Sequence, residues 1–212
     1  GEVTVLSLRS HAAQKPEDAL RACLAMGADK AIMLSDPAFE GGDSYVTALV
    51  LAAALRRLSF DLLLFGKQAV DDDDGAVGIQ VAELLGIPHV GVVNKLEVNA
   101  GARTMLAHRQ IEGGIELVES PLPAMITCQK GLNEPRYPSL PDIMMAKQKP
   151  LAVWNRETIA LEPESVGAHG ARLTIVRLES PPPRPAGRII DGDAAAAVKE
   201  LVRLLHEEAK II

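Results

Sequence analysis

The chain has 212 residues, of which 48% are apolar and 24% are charged, and its formal net charge is −6. This composition is typical of one sizeable globular core, and the negative balance argues against binding of nucleic acid through its phosphates. No apolar run reaches the roughly 18 residues of a membrane-spanning helix. The two cysteines, Cys23 and Cys128, lie in apolar stretches without metal-ligand spacing, so we expect buried, reduced thiols.

The first half of the chain alternates between strand patterns and helix patterns. The predicted elements, in order, are a strand over residues 3–8, a helix from Pro16, a strand over 30–34, a helix from Asp43, a strand over 62–65 and a helix over 79–85. This order is typical of a parallel sheet with right-handed crossovers. We therefore expect an α/β fold with a Rossmann-like parallel sheet and helices on both faces.

The pattern changes after Pro88. Short, partly alternating segments cover residues 90–93, 95–98, 104–110 and 114–119. Turn signals separate them at residues 99–101 and 112–114, which predicts an insertion of antiparallel hairpins. A buried strand is predicted over residues 123–128, and residues 173–178 are predicted to form the last strand.

Residues 135–141 contain three prolines and predict an exposed, irregular loop, followed by one or two helical turns over residues 142–147. Leu140 stands between Pro138 and Pro141. An apolar side chain that a stiff loop holds out loses little entropy when it docks on a partner. The alternative is a leucine that folds back into the domain.

The C-terminal region has its own character. Residues 181–185 form a stiff, proline-rich segment, and a helix with an apolar stripe is predicted over residues 193–210. We expect an α/β domain over residues 1–180, and a linker with a C-terminal helical arm over 181–212 that reaches a partner. The alternative is a last helix that packs on its own domain.

The most informative segment is the loop over residues 66–77, which lies between a buried strand and a helix. Its four consecutive carboxylates, Asp71 to Asp74, repel one another. Such charge is tolerated at a helix N-terminus, and the carboxyl end of a parallel strand is where α/β sheets bind nucleotides. The residues alone allow a calcium site, an acidic helix cap or a nucleotide site. Calcium fits poorly, because an EF-hand loop that starts at Asp72 would have apolar residues at its fifth and sixth positions.

Motifs of common enzymes are absent from the sequence. Neither GxGxxG nor GxxxxGK[ST] occurs, which argues against an ordinary dinucleotide dehydrogenase and a phosphate-loop NTPase. The histidines adjoin no nucleophile motif and are interpreted as surface or structural residues: His11, His89, His108, His169 and His206. We find no catalytic constellation and no metal site.

Three segments, taken in order, resemble one family. The first is GKQAVDDD at residues 66–73. The second combines a basic residue, an acidic-Gly-Gly turn and a strand over residues 109–118 with a Pro-led strand over 123–127. The third is LNEPRYPSLPDIM at residues 132–144, and residues 25–29 match more weakly. Together these segments resemble the beta subunit of electron transfer flavoproteins.

The resemblance implies the smaller subunit of an alpha/beta heterodimer that carries electrons and has no catalytic residues of its own. The alpha subunit would hold the redox FAD, and the beta subunit would bind AMP structurally. Electrons would arrive from acyl-CoA or other flavin dehydrogenases, as in fatty acid oxidation, and would leave to a quinone oxidoreductase. The compartment would be the bacterial cytoplasm, which we prefer, or the mitochondrial matrix. The implied nucleotide-binding residues are Ser7, Leu8, Gly66, Lys67, Gln68, Ala69, Val70, Asp71, Asp72, Asp73, Asp74, Gly75, Ala76 and Val77.

The resemblance also implies that the proline-rich loop recognises dehydrogenases, with Leu140 as its anchor. The implied recognition residues are Pro138, Ser139, Leu140, Pro141, Ile143 and Met144. The arm over residues 181–212 would contact the alpha subunit.

The sequence departs from the family pattern in two places. Family members begin with another strand, loop and helix, so we expect that a first strand–helix unit is missing here. The family has an amide side chain where Ala76 stands, which puts part of the AMP contacts in doubt. One alternative is an electron-bifurcating subunit with a second FAD in place of AMP, although such members have Gly where Asp72 stands. Another is a stand-alone adenine-nucleotide-binding sensor or stress protein.

Overall fold

The computed structural model describes residues 1–9, 14–183 and 187–211. These residues form two compact units, one that ends at Thr174 and one that begins at Ile175. The strands of the first unit are β1 (Thr4–Leu8), β2 (Lys30–Leu34), β3 (Leu62–Gly66), β4 (His89–Asn99), β5 (Thr104–Ile111), β6 (Gly114–Pro121), β7 (Ala124–Cys128) and β8 (Leu151–Trp154). Its α-helices are α1 (Pro16–Ala25), α2 (Ser44–Leu55), α3 (Val77–Leu85), α4 (Leu140–Ala146) and α5 (Gly167–Gly170), with 3-10 turns at Pro37–Phe39 and Pro163–Ser165.

The strands form two sheets. One is parallel, in the order β1-β2-β8, and the other has the order β3-β7-β4-β5-β6. In the second sheet β3, β7 and β4 are parallel, whereas β4, β5 and β6 are antiparallel neighbours. The predicted α/β class and the inserted antiparallel strands are therefore confirmed.

The core lies on both faces of the parallel strands. α2 is apolar on nearly every side and packs in one cluster with Ile32 and Leu34 of β2, Leu63 of β3 and Met125 of β7, so it joins the two sheets. The alternate residues of β2 face the other way, and Met33 packs there against α1.

The structure corrects several predicted elements. Residues 173–178 do not form a strand, and their side chains Leu173, Ile175, Val176 and Leu178 are exposed. The unpredicted β8 pairs with β2 instead. The two segments predicted over 90–93 and 95–98 are one strand, β4. Its register shifts against both neighbouring strands, β5 and β7. The recognition segment is helical from Leu140 onward, two residues earlier than predicted.

β1 and β3 each pair along one edge only, β1 with β2 and β3 with β7, within the part of the chain that the structure describes. No ladder of backbone hydrogen bonds joins the two sheets there. On β3, Leu64 is 61% exposed. The expectation of a missing first strand–helix unit stays a prediction.

The second unit contains α6 (Ala194–Glu207), which confirms the helix predicted over residues 193–210. Asp193 caps it, since its Oδ1 accepts a hydrogen bond from the N–H of Ala196 at 2.8 Å. Within the proline-rich segment, residues 184–186 lie outside the described part of the chain. Among the described residues, no helix is both long and apolar enough to cross a membrane.

Candidate functional site

The loop over residues 66–77 begins where β3 ends. Gly66 is in register with Cys128, the last residue of β7, and the N–H of Lys67 donates to the carbonyl of Cys128 at 3.2 Å. Cys128 is in turn in register with Val93 of β4. The loop therefore leaves the carboxyl edge of three parallel strands, which is the edge where α/β sheets bind ligands.

Three of the four carboxylates of this loop accept hydrogen bonds from within the loop. Asp71 Oδ1 accepts from the N–H of Asp72 at 3.0 Å, and Asp72 Oδ1 accepts from the N–H of Asp74 at 3.2 Å. The side-chain amide of Gln68 donates to Asp73. The backbone of Asp73 adopts the left-handed conformation, with φ of 58°. These bonds fold the loop into a compact turn, which is how four adjacent charges are accommodated.

The carboxylates do not cap the following helix. The N-cap of α3 is Ala76, which makes no side-chain hydrogen bond. The interpretation of the acidic run as a helix cap is therefore wrong. α3 also approaches β3 closely, because a Cβ at Gly78 would lie 3.1 Å from the Phe65 side chain. Among the described residues no group of three acidic, His or Cys side chains could hold a metal ion.

Ser7 and Leu8, the other predicted nucleotide residues, are the last residues of β1. Leu8 packs against the same apolar cluster as Phe65 and Val77. The structure thus attaches both parts of the predicted site, the end of β1 and the acidic loop, to one core.

Arg9, which no sequence motif singles out, follows β1 directly. Its N–H donates to the carbonyl of Leu34 at 2.9 Å, and its Nε is buried without a hydrogen-bond partner among the described residues. Arg9 lines a shallow concave region together with Gln14, Lys15, Pro16, Glu17, Asp18 and Met33. A phosphate there would meet the cations of Arg9 and Lys15, and it would also face the carboxylates of Glu17 and Asp18 on the same lining. The available signal was position, since the first polar residue after a parallel strand points to the ligand edge.

The recognition segment is exposed where the sequence predicts a docking residue. Leu140 is the first residue of α4 and is 72% exposed, so it is not folded back into the domain. The Ser139 hydroxyl accepts from the N–H of Asp142 at 3.3 Å, and the Asp142 carboxylate accepts from the N–H of Ser139 at 3.2 Å. The Ser139 hydroxyl also holds the pKa of Asp142 below its ordinary value. This capping box fixes the start of α4.

The antiparallel hairpin carries the second family-like segment. Gly113, with φ of 78°, lies in the turn between β5 and β6, and the Arg109 guanidinium lies 3.4 Å from the Glu116 carboxylate across the pair. His108 Nε2 lies 3.8 Å from the Glu97 carboxylate on the same hairpin. His11 lies outside the described residues.

Comparison with known proteins decides the family. The model of the electron transfer flavoprotein domain matches residues 1–158. The electron transfer flavoprotein subunit beta of Bacillus subtilis is 38% identical over 213 residues, which cover 100% of this chain and 80% of the relative. The chain belongs to the electron transfer flavoprotein beta subunit family.

Two further relatives have similar identity to this chain. Subunit CarD of the caffeyl-CoA reductase-Etf complex of Acetobacterium woodii is 41% identical over 191 residues, which cover 89% of this chain and 72% of CarD. The subunit beta of Thermoanaerobacterium thermosaccharolyticum is 37% identical over 97% of this chain and 78% of its own length. As a beta subunit of this family, the protein has an electron-transfer role and an alpha subunit as its partner. The flavoprotein family is consistent with FAD in the complex of the two subunits.

Proposed function

We propose that this beta subunit completes a heterodimeric electron carrier, which accepts electrons from flavin dehydrogenases and passes them to a quinone oxidoreductase or similar acceptor. In this proposal the beta subunit binds AMP structurally, and FAD is held mainly by the alpha subunit. The chain itself supplies binding and recognition rather than catalytic residues. The relatives named above are bacterial, which supports the cytoplasm over the mitochondrial matrix.

The observation that carries the AMP proposal is the arrangement at the carboxyl edge of the strands. A compact acidic loop and an α3 without a side-chain cap lie after β3, and Arg9, whose Nε is buried without a hydrogen-bond partner among the described residues, follows β1. Carboxylates suit ribose hydroxyls, whereas the guanidinium suits a phosphate. The carboxylates of Asp71 and Asp72 already accept from N–H groups of the loop, and that of Asp73 accepts from Gln68, which offsets part of their charge.

The nucleotide itself tests this proposal. Purified heterodimer is denatured, and the released nucleotides are identified and counted by chromatography and mass spectrometry. We expect one AMP and one FAD per heterodimer. We further expect that Arg9→Gln reduces retained AMP but not FAD, whereas Arg57→Gln, at an exposed position after α2, changes neither. Release of FAD alone would exclude AMP as the structural nucleotide.

One alternative has a specific observation in its favour. The relative CarD, at 41% identity, is by name a subunit of a reductase-Etf complex. A beta subunit that works in such a complex with a second FAD would release two FAD and no AMP in the same assay. Release of ATP from a monomer would instead support a stand-alone adenine-nucleotide-binding protein.

We also propose that α4 docks on the dehydrogenase, with Leu140 as the anchor. Its neighbours Ile143 and Met144 are 43% and 57% exposed, so a contiguous apolar surface is available. Small sets of central apolar residues commonly dominate the affinity of an interface.

Leu140→Ala tests the docking proposal. We expect it to raise the KM of a flavin dehydrogenase for the heterodimer about tenfold, since truncation of a buried anchor costs more than 1 kcal/mol. Nucleotide content should not change. Val98→Ala, which trims an exposed apolar residue of β4, serves as the control. Equal KM values for the Leu140 variant and the native heterodimer would remove Leu140 as the anchor.

A further inference from the structure

The docking helix α4 buries too little to hold its own position. It spans seven residues, Leu140–Ala146, which is shorter than isolated helices that persist in water. Ala146 is its buried residue, whereas Leu140, Ile143, Met144 and Met145 are exposed. Apolar packing of α4 is therefore small, and polar contacts must contribute to its placement.

Arg21 of α1 holds the C-terminal end of α4. Its Nη1 donates to the carbonyl oxygens of Ala146 and Lys149, at 2.8 Å each. The last carbonyls of a helix have no partner within the helix and carry the negative end of its dipole. The Arg21 guanidinium satisfies one of these acceptors, the carbonyl of Ala146, and is favoured by the dipole, while the Lys149 carbonyl belongs to the segment after the helix.

Lys149 makes the reciprocal contact. Its Nζ donates at 2.9 Å to the carbonyl oxygen of Leu24, in the last turn of α1, and at 2.7 Å to that of Ala28, shortly after the helix. Each of the two segments thus places a cation on the carbonyl end of the other. Both side chains are partly buried, so solvent screens these bonds less than it screens surface ion pairs.

A third contact lies at the start of the recognition segment. A Cβ at Gly27, whose φ is 121°, would lie 3.4 Å from Nη2 of Arg136. Arg136 therefore passes close over the backbone that follows α1. Before α4, Arg136 lies close to this backbone and the Ser139–Asp142 capping box orders the helix start, and after α4 the bonds of Arg21 and Lys149 join the segment to α1.

We propose that Arg21 and Lys149 are positioning residues that hold α4 in one orientation, so that Leu140 meets the dehydrogenase already ordered. A segment ordered before binding avoids part of the entropy that docking otherwise costs. The inference rests on the proposed docking role of Leu140, while the clamp itself is a property of α1 and α4.

Hydrogen exchange of the native alpha/beta heterodimer measures the clamp directly. Arg21→Met and Lys149→Met each remove two hydrogen bonds from a charged donor, and we expect α4 amides to exchange about tenfold faster in either variant. Lys147→Met is the matched control, because Lys147 is exposed, carries the same charge and makes no hydrogen bond to α1 among the described residues. Arg21→Lys, which keeps a cation, should recover part of the protection.

Kinetics with a flavin dehydrogenase then separate positioning from general stability. We expect Arg21→Met to raise KM several-fold with kcat and nucleotide content unchanged. In a Leu140→Ala background the same substitution should add nothing, because its effect passes through Leu140. If the KM increases of Arg21→Met and Leu140→Ala multiplied in the double variant, the positioning role would be overturned.

The two proposals fail in distinguishable ways. Unchanged exchange of α4 in both Arg21→Met and Lys149→Met, or an equal change in Lys147→Met, overturns the clamp and leaves the docking proposal intact. Faster exchange together with an unchanged KM in Leu140→Ala overturns docking, and with it the functional purpose of the clamp.

Discussion

At the scale of single residues, Val92 has an uncommon backbone. Its φ is 60°, a left-handed value that a β-branched residue rarely adopts. It lies where the register of β4 against β7 shifts, between Val90 and Val93. Its N–H leaves the ladder and donates to Thr127 Oγ1 at 2.8 Å, and Thr127 is 2% exposed. The buried hydroxyl therefore stabilises a bulge at the carboxyl edge from which the nucleotide loop departs.

Thr127→Val tests this role, because valine keeps the shape of threonine and removes the acceptor. The Val92 N–H would be left without its partner, which costs about 1–3 kcal/mol. We expect the free energy of unfolding of the heterodimer to fall by this amount in urea denaturation. Thr127→Ser retains the hydroxyl and is the control. Equal stability of the valine and serine variants would show that the hydroxyl does not hold the bulge.

At this scale the position of a residue can follow from local order. Strand and helix patterns place Ser7 and Leu8 at the end of β1 and the acidic loop after β3, where the structure has them, whereas their nucleotide-binding role comes from the family resemblance and stays a prediction. The Val92–Thr127 bond joins residues 35 positions apart, so no local pattern reports it. The contacts of Arg21 with residues 146 and 149 were invisible for the same reason, since they exist only once α1 and α4 pack together.

At the scale of elements, one carboxylate organises the start of α2. Asp43 Oδ1 accepts from the N–H of Val46 at 2.9 Å and caps the helix. Its Oδ2 accepts from the N–H groups of Arg172 and Leu173, at 2.7 Å and 2.9 Å. The Arg172 guanidinium also lies 3.7 Å from the centre of the Tyr45 ring. Asp43 thus ties the end of the first unit to α2.

The protonation of Asp43 should appear in the pH dependence of stability. Burial raises the pKa of this carboxyl, but hydrogen bonds from the N–H groups of Val46, Arg172 and Leu173 outweigh it and place the pKa below its ordinary 3.8. A depressed pKa stabilises the fold above the ordinary value, and this stabilisation is lost as pH falls through the folded value. We therefore expect Asp43→Asn to be less stable than the native protein at neutral pH, with the difference shrinking below pH 3.8.

Urea denaturation across a pH series measures this difference. Asp191→Asn, at an exposed carboxyl of the second unit, is the control and should follow the native curve. A difference between Asp43→Asn and the native protein that stays constant with pH would show that the carboxylate charge is not involved.

Elements with local signals were predictable, and those that depend on a distant partner were not. α1, α2 and α6 have a proline or an aspartate at their start and apolar residues at helical spacing, and their starts agree with the prediction. A strand is stable only against a neighbour. Residues 173–178 are rich in β-branched residues but pair with no strand in the described chain, whereas the short β8 after Pro150 finds an open edge on β2.

At the scale of the whole molecule, α6 has the features of a helix completed by a partner. None of its residues is buried in the described chain. Val198, Leu201, Val202 and Leu205 follow helical spacing and form one apolar stripe, and the first three are 59%, 46% and 49% exposed. Away from the stripe, Arg203 forms ion pairs of 2.8 Å and 2.7 Å with Glu200 and Glu207. This pattern supports the proposal that the arm over residues 181–212 contacts the alpha subunit.

Leu201→Asp tests that contact against Lys199→Asp. Both place an aspartate on α6, one within the apolar stripe and one outside it, and the control makes the larger change in net charge because it also removes a lysine. Burial of a leucine side chain contributes about 1.5–3 kcal/mol, which corresponds to a tenfold or greater change in affinity. We expect the dissociation constant for the alpha subunit to rise at least about tenfold in Leu201→Asp and to change little in Lys199→Asp, measured by titration of labelled alpha subunit. Equal effects of the two substitutions would mean that charge on α6, rather than its apolar stripe, governs assembly of the heterodimer.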